Sequence, residues 1–325
     1  MLLNKLLLLW VLSTLNQSLI SIEPYFSKTE GGYYKGGIDN KIIQDLSNAS
    51  ESIKIAMYYL TNKNITKAIV NAHLRGVKVQ IITDEKKKNT KRYRYLQNQG
   101  ILIEDDHNTK ALMHNKILII DTKVVWIGSG NYTVYAFYRN HDNYLRLNSQ
   151  DLGRYYTKKF DILYQHTQKS IAPYISENIE IYFAPDSNIE NKILTQLSNA
   201  KKSIYIMMFA FTNPKIANAL LDAKQKGINI KIVIDKVQNH YQKYSVYQKL
   251  KQNGIDIIED KNKFKLHHKV LIIDESTTIT GSYNFTKKAN DKNAENIIIL
   301  KEREITQKYL QEFYRVYRES PHSQI

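Results

Sequence analysis

The chain has 325 residues, 42% of them hydrophobic and 24% charged, with a mean hydropathy of −0.46. This is a globular composition, long enough for one large or two ordinary domains, and it excludes a disordered or multi-span membrane chain. The absence of cysteine excludes disulfides, thiolate metal sites and thiol catalysis, while 47 basic against 31 acidic side chains leave a formal charge of +16.

That charge favours a polyanionic partner, nucleic acid or an anionic membrane surface, although a general compositional bias toward lysine explains it equally well. The chain opens with MLLNKLLLLWVLSTLNQSLISI, which sets Lys5 ahead of an apolar run from Leu6 to Leu12. Residues 1–21 therefore read as a secretory signal, which makes the protein exported, periplasmic or secreted. The alternative is an uncleaved N-terminal membrane anchor, disfavoured because Ser13, Thr14, Asn16 and Gln17 interrupt the run.

The rest of the chain is written twice. LSNASESIKIAMYYLTN (Leu46–Asn62) matches LSNAKKSIYIMMFAFTN (Leu197–Asn213), and RGVKVQIITD (Arg75–Asp84) matches KGINIKIVID (Lys226–Asp235), each 151 residues later. The offset becomes 153 for HNKILIID and HHKVLIID. The chain is thus a duplication of a domain-sized unit, with copies over 22–168 and 178–320 and a boundary near Ala172–Ile175.

Within a copy, apolar β-rich runs at Ile53–Met57, Val77–Ile82 and Ile117–Ile120 predict buried strands. Ile65–Leu74 and Ile216–Ala223 have helical spacing, with Asn62 and Asn213 as caps, Pro214 in a first turn, and Gly76 and Gly227 at the ends. Amphipathic stretches around Tyr155–Tyr164 and Tyr309–Tyr317 close the copies. Strand alternating with helix predicts an α/β sandwich with a mixed central sheet in each copy.

After the strand ending at Asp84 comes EKKKNTKRYRY, whose Lys86, Lys87, Lys88, Lys91, Arg92 and Arg94 interleave with Tyr93 and Tyr95. With Lys263 and Lys265, which lead into His267, they are candidates for contacting the substrate backbone, and the tyrosines for stacking on bases. A solvated charged face is the competing explanation. His73 and His166 are assigned to the core, whereas His107, His141 and His240 are placed near the mouth of a cleft.

The chemistry lies late in each copy, in His114, Lys116, Asp121, Gly128, Ser129 and Asn131, then His267, Lys269, Asp274, Gly281, Ser282 and Asn284. Histidine and lysine two apart on a strand point to one face, and the small Gly-Ser pair is expected to let backbone approach a ligand. Two imidazoles, two ammoniums and two carboxamides about a pseudo-twofold axis suit a phosphodiester. Lysine and asparagine hold its oxygens, one histidine attacks phosphorus and the other protonates the leaving alcohol. No metal-ligand motif or phosphate-cradling G-x-x-x-x-G-K occurs, so no metal site and no cofactor are assigned.

HNKILIID with GSGN, and HHKVLIID with GSYN, resemble the paired HxKxxxxD motifs of the phospholipase D superfamily, in particular its bacterial nuclease and cardiolipin-hydrolase-like branch. The resemblance spans both copies. It implies two phospholipase D-like α/β lobes and metal-independent hydrolysis through a covalent phosphohistidine, formed on His114 rather than His267. One chain carries both motifs, so a monomer suffices. Lys116, Lys269, Asn131 and Asn284 fall on phosphate-binding positions, and Asp121 and Asp274 on structural ones. The carboxylate twenty-eight residues past each histidine, Asp142 and Glu295, falls on the position that orients the imidazole. Asp142 stands where glutamate is usual, and its shorter reach bears on the tuning of His114.

The expected activity is phosphodiester hydrolysis, with nucleic acid as preferred substrate. The alternative is a phospholipase D or cardiolipin hydrolase that yields phosphatidate, with peripheral membrane association. A non-catalytic polyanion-binding protein is the third reading, and the presence of every motif residue in both copies argues against it.

Overall fold

The computed structural model describes residues 20–27, 37–167, 169–241 and 244–320. The leader reading falls on residues that lie, but for the last two, outside these. Among the described residues no helix is long and apolar enough to cross a membrane.

The first copy builds a seven-stranded sheet from β1 (Ser21–Phe26), β2 (Ser52–Met57), β3 (Lys78–Thr83), β4 (Leu102–Asp105), β5 (Lys116–Ile120), β6 (Val124–Gly128) and β7 (Asn143–Asn148), ordered β1-β7-β6-β5-β2-β3-β4. The second builds an eight-stranded sheet from β8 (Tyr174–Ile175), β9 (Ile179–Ala184), β10 (Ser203–Met208), β11 (Asn229–Ile234), β12 (Asp256–Glu259), β13 (Lys269–Ile273), β14 (Thr277–Gly281) and β15 (Glu295–Leu300), ordered β12-β11-β10-β13-β14-β15-β9-β8. Apart from the extra edge strand β8, the two orders are the same. In each sheet three strands are parallel, connected by helices, and the rest are antiparallel, as the predicted mixed sheets require.

Local chemistry explains the elements. The helix Lys63–Leu74 starts where Asn62 Oδ1 accepts from the backbone of Asn64 and Ile65, and its counterpart Pro214–Gln225 starts on Asn213 in the same way. Such a cap is worth about 1 kcal/mol. The motif aspartates tie the sheets together at their ends. Asp121 accepts from the backbone amides of Ser50, Glu51 and Ser52, and Asp274 from those of Lys201, Lys202 and Ser203. Both sit at the tip of a hairpin with φ near +50°, a conformation aspartate tolerates better than most residues.

The helices Ile38–Asn48 and Lys63–Leu74 cover the outer face of the first sheet, and Ile189–Ser198 and Pro214–Gln225 that of the second. The inner faces meet in one shared apolar core. Leu152, Tyr156 and Phe160 of the helix Gln150–Tyr164, and Leu310, Phe313 and Val316 of the helix Arg303–Glu319, are buried there among residues of both sheets. The two amphipathic stretches are therefore the central layer of one body, and that layer fixes one lobe against the other.

Candidate active site

Each histidine lies just before an inner strand of its sheet, held by backbone of the opposite lobe. The His114 amide donates to the Ala294 carbonyl at 3.0 Å, and the His267 amide to the His141 carbonyl at 2.8 Å. Asp84 and Asp235, at the ends of β3 and β11, accept from the amides of Met113 and Leu266 immediately before each histidine. Both imidazoles are buried to within a tenth of their surface.

The carboxylates pair across the lobes. Glu295 lies 2.8 Å from Nδ1 of His114, and Asp142 lies 2.8 Å from Nδ1 of His267. The sequence pairing of each histidine with the acid of its own copy is thus corrected: the strands face each other, so each copy orients the other's histidine. The shorter Asp142 consequently serves His267, not His114. It spans the same distance, and Ser27 Oγ accepts from its backbone amide at 2.7 Å. Ser129 and Ser282 donate to Asp142 and Glu295 at 2.7 and 2.6 Å. With a carboxylate accepting at Nδ1, that nitrogen carries the proton, and Nε2 is left as the reactive atom of both rings.

Lys116 and Lys269 lie buried beside them, each with Nζ donating to the carbonyl of its own histidine, at 2.5 and 2.6 Å. Two N–H bonds on each ammonium remain for a phosphate. Burial lowers Lys116 to about 8, and burial together with neighbouring Lys116 lowers Lys269 to about 7, against the pull of the carboxylates. Burial also pushes both imidazoles below their usual 6.5. Burial works to raise Glu295 and Asp142, but the paired imidazoles and the lysines outweigh it and hold both carboxylates ionised. In the free site both rings are neutral at pH 7, as a nucleophile must be.

Asn131 and Asn284 flank the site half-buried. Among the described residues Asn131 Oδ1 finds no hydrogen-bond partner, and Asn284 Oδ1 accepts from the Ala210 amide at 3.3 Å. A cleft of about 450 Å³ opens over Asn131, Tyr59, Asn140, Lys265 and His267. It joins residues of both lobes beside His267.

Other expectations are revised. Gly128 and Gly281 do not make room for a ligand: a Cβ there would stand 2.2 Å from the carbonyl oxygens of Asn143 and Asn296, so glycine is required by the neighbouring strand. The basic run is divided between an ion pair, the core and solvent. Lys88 pairs with Asp105 at 3.0 Å, and Tyr93 is buried with its hydroxyl donating to the Met57 carbonyl, so it cannot stack on a base. Lys86, Lys91 and Arg94 are exposed and Arg92 is half-buried. Lys87 stands over the rings of Tyr58 and Tyr59, the first of which packs on His114. Of the second run, Lys265 lines the cleft, and Lys263 is exposed without lining it.

His166 is not in the core. It is exposed and stacks on His107, with centroids 4.2 Å apart, beside a separate pocket; their donor atoms and one of Glu104 fall within 4.8 Å of one another. His73 is half-buried and His240 exposed, whereas His141 is buried, its main chain bracketing His267. His268 is buried against Asn143 of the first lobe and Glu312.

Sequence reading missed Tyr58 and Phe209, whose rings lie 5.5 and 4.8 Å from those of His114 and His267. They occupy the same place in the two copies, MYYLTN and MFAFTN, which is the signal that could have found them. It also missed the buried contacts Asn143–His268 and Asn296–Asn115, at 3.1 and 2.8 Å, which link the lobes behind the carboxylates.

Residues 42–164 and 193–317 each match the family model described as cardiolipin synthase, PLD-like domain. Similar curated proteins include one named phospholipase D from Rickettsia prowazekii, 34% identical over 145 residues, which covers 45% of this chain and 70% of that one. Another is the mitochondrial cardiolipin hydrolase of Xenopus tropicalis, 32% identical over 131 residues, 40% of this chain and 61% of that one. Among solved structures, phosphatidylserine synthase from Haemophilus influenzae superposes over 92% of this chain and 89% of its own with a TM-score of 0.66, and at 13% identity it shows the fold alone. Two matched domains, each bringing one histidine to a shared centre, make this chain a member of the phospholipase D-like family and a phosphodiesterase.

Proposed function

We propose that the protein hydrolyses nucleic acid through a phosphohistidine. The observation that carries the reaction is the crossed pair His114–Glu295 and His267–Asp142, which leaves two Nε2 atoms free beside two buried lysines. Lys116, Lys269, Asn131 and Asn284 hold the non-bridging oxygens and balance the charge that develops on them. Nε2 of His114 attacks phosphorus and the P–O bond to the leaving alcohol breaks. That alcohol takes its proton from Nε2 of His267, which gains this proton when the anionic substrate arrives and is stabilised as imidazolium by Asp142. Water then loses a proton to His267 and attacks phosphorus, and the P–N bond to His114 breaks. The phosphate leaves as a monoester and the proton count returns to its start.

The charge of +16 and a cleft lined by Tyr, Thr, Asn and Lys, with Ala136 its one aliphatic residue, support a polar polyanion over acyl chains. The names of the similar proteins, phospholipase D and cardiolipin hydrolase, support the lipid reading. A monomer as active unit, because one chain supplies both imidazoles, and export, supported by the pattern of residues 1–21, complete the proposal. The test is one assay, in excess chelator, of single-stranded DNA and cardiolipin vesicles side by side. Turnover of DNA, with binding that weakens steeply as salt rises, is expected. Turnover of vesicles alone would establish the lipid reading.

A further inference from the structure

A duplicated site has a directional problem. Histidine, lysine and asparagine repeat about the pseudo-twofold axis, so these residues alone do not tell one ester arm of a phosphodiester from the other. A substrate is given direction by what breaks the symmetry; the carboxylates do so inside the centre, and the rim does so where the strand passes.

On the cleft side of His267, Tyr135 and Arg139 of the first lobe meet Phe264 of the second. The rings of Tyr135 and Phe264 lie edge to face with centroids 5.8 Å apart, and the Arg139 guanidinium stands 4.5 Å from one and 5.2 Å from the other. Asn262 fastens the two loops, donating from Nδ2 to the Arg139 carbonyl at 2.9 Å and accepting from the Phe264 amide at 3.0 Å. Despite this order the rings are open to solvent, Tyr135 by 53% and Phe264 by 36%. Tyr135 lines the same cleft as His267.

The corresponding positions of the other rim differ. By the repeat offsets, Lys288 stands for Tyr135, Lys292 for Arg139 and Ala111 for Phe264, and Ala111 is buried. At these three positions one rim is aromatic and the other is not.

We propose that Tyr135, Arg139 and Phe264 form a stacking platform for a nucleobase next to the scissile phosphate on the His267 side, and so fix the direction in which a strand crosses the site. Exposed rings held rigid by a guanidinium offer flat π-faces at little ordering cost, and such stacking tolerates any base. The proposal rests on the nucleic-acid reading of the site. None of the three residues belongs to the catalytic apparatus.

The test compares a single-stranded oligodeoxynucleotide with an abasic strand of the same length, at fixed salt. The wild type should cut the base-bearing strand with a kcat/KM about ten- to a hundredfold higher, mostly through KM. The double variant Tyr135→Ala, Phe264→Ala should cut both strands at the abasic rate of the wild type, while Tyr135→Phe keeps the preference and Lys288→Ala leaves it unchanged. Equal cutting of the two strands by the wild type overturns the platform. So does a double variant that loses the abasic strand in the same proportion, since the rings would then act by holding the rim in shape. If the wild type cuts neither strand but hydrolyses cardiolipin vesicles, the nucleic-acid reading falls first and the platform with it.

Discussion

The two imidazoles are chemically alike, yet their neighbours make them unequal. Glu295 is held by Ser282 and by Asn293 Nδ2 at 3.1 Å, whereas Asp142 is held by Ser129 and the more distant Asn140 at 3.4 Å. Replacing His114 or His267 by alanine should lower kcat by about a thousandfold or more, measured on any phosphodiester the wild type turns over. The buried groups also set the pH profile. An imidazole with a lowered pKa stays neutral, and nucleophilic, until the pH falls below 6.5, so the acid limb lies there. A lysine with a lowered pKa is charged below that value and neutral above it, so phosphate binding is lost as pH rises. Free His267 loses its proton below 6.5, which begins the decline of kcat/KM, and loss of the lysine charges should steepen that alkaline limb near 7–8, set by Lys269 at about 7 and Lys116 at about 8. A bound phosphodiester anion raises both lysines, so the same limb in kcat should lie at higher pH. Coincident alkaline limbs in kcat and kcat/KM would contradict this.

At the scale of elements, the site depends on how closely strands approach. Gly128 carries φ +149° and faces the Asn143 carbonyl across the β6–β7 pair. Gly128→Ala should displace the strand that carries Asn143 next to Asp142, costing about 2 kcal/mol or more in denaturant unfolding and lowering activity with it. Asp121→Ala acts elsewhere: it strips acceptors from the start of β2 and should cost about 1–3 kcal/mol while kcat of the folded fraction stays near normal. Much at this scale was legible in the sequence. Caps at Asn62 and Asn213, the helix-ending Gly76 and Gly227, and strands at Ile53–Met57 and Val77–Ile82 arise from local chemistry that tertiary context does not override. The fate of the basic run was not, because a lysine at a given position is equally compatible with facing phosphate and with pairing an acid on the next strand, as Lys88 does with Asp105. Nor was Tyr93, whose position among charges conceals that its ring fills the core.

At the scale of the molecule, the repeat announced two like lobes and a shared centre, but not which partner each residue takes. Sequence separation pairs His114 with Asp142, 28 residues on; the fold pairs it with Glu295, 181 residues on. Only the docking of one sheet on the other, through the helices between them, decides that, and no local pattern encodes it. The crossed pairing also means that neither lobe holds an oriented histidine by itself. The most direct test is the imidazole proton and nitrogen NMR spectrum of the 15N-histidine-labelled protein, with Glu295→Gln and Asp142→Asn beside the wild type. Under crossed pairing, Glu295→Gln moves the Nδ1–H resonance of His114 and leaves that of His267, and Asp142→Asn does the reverse. Movement of His267 by Glu295→Gln, with His114 unchanged, would contradict it.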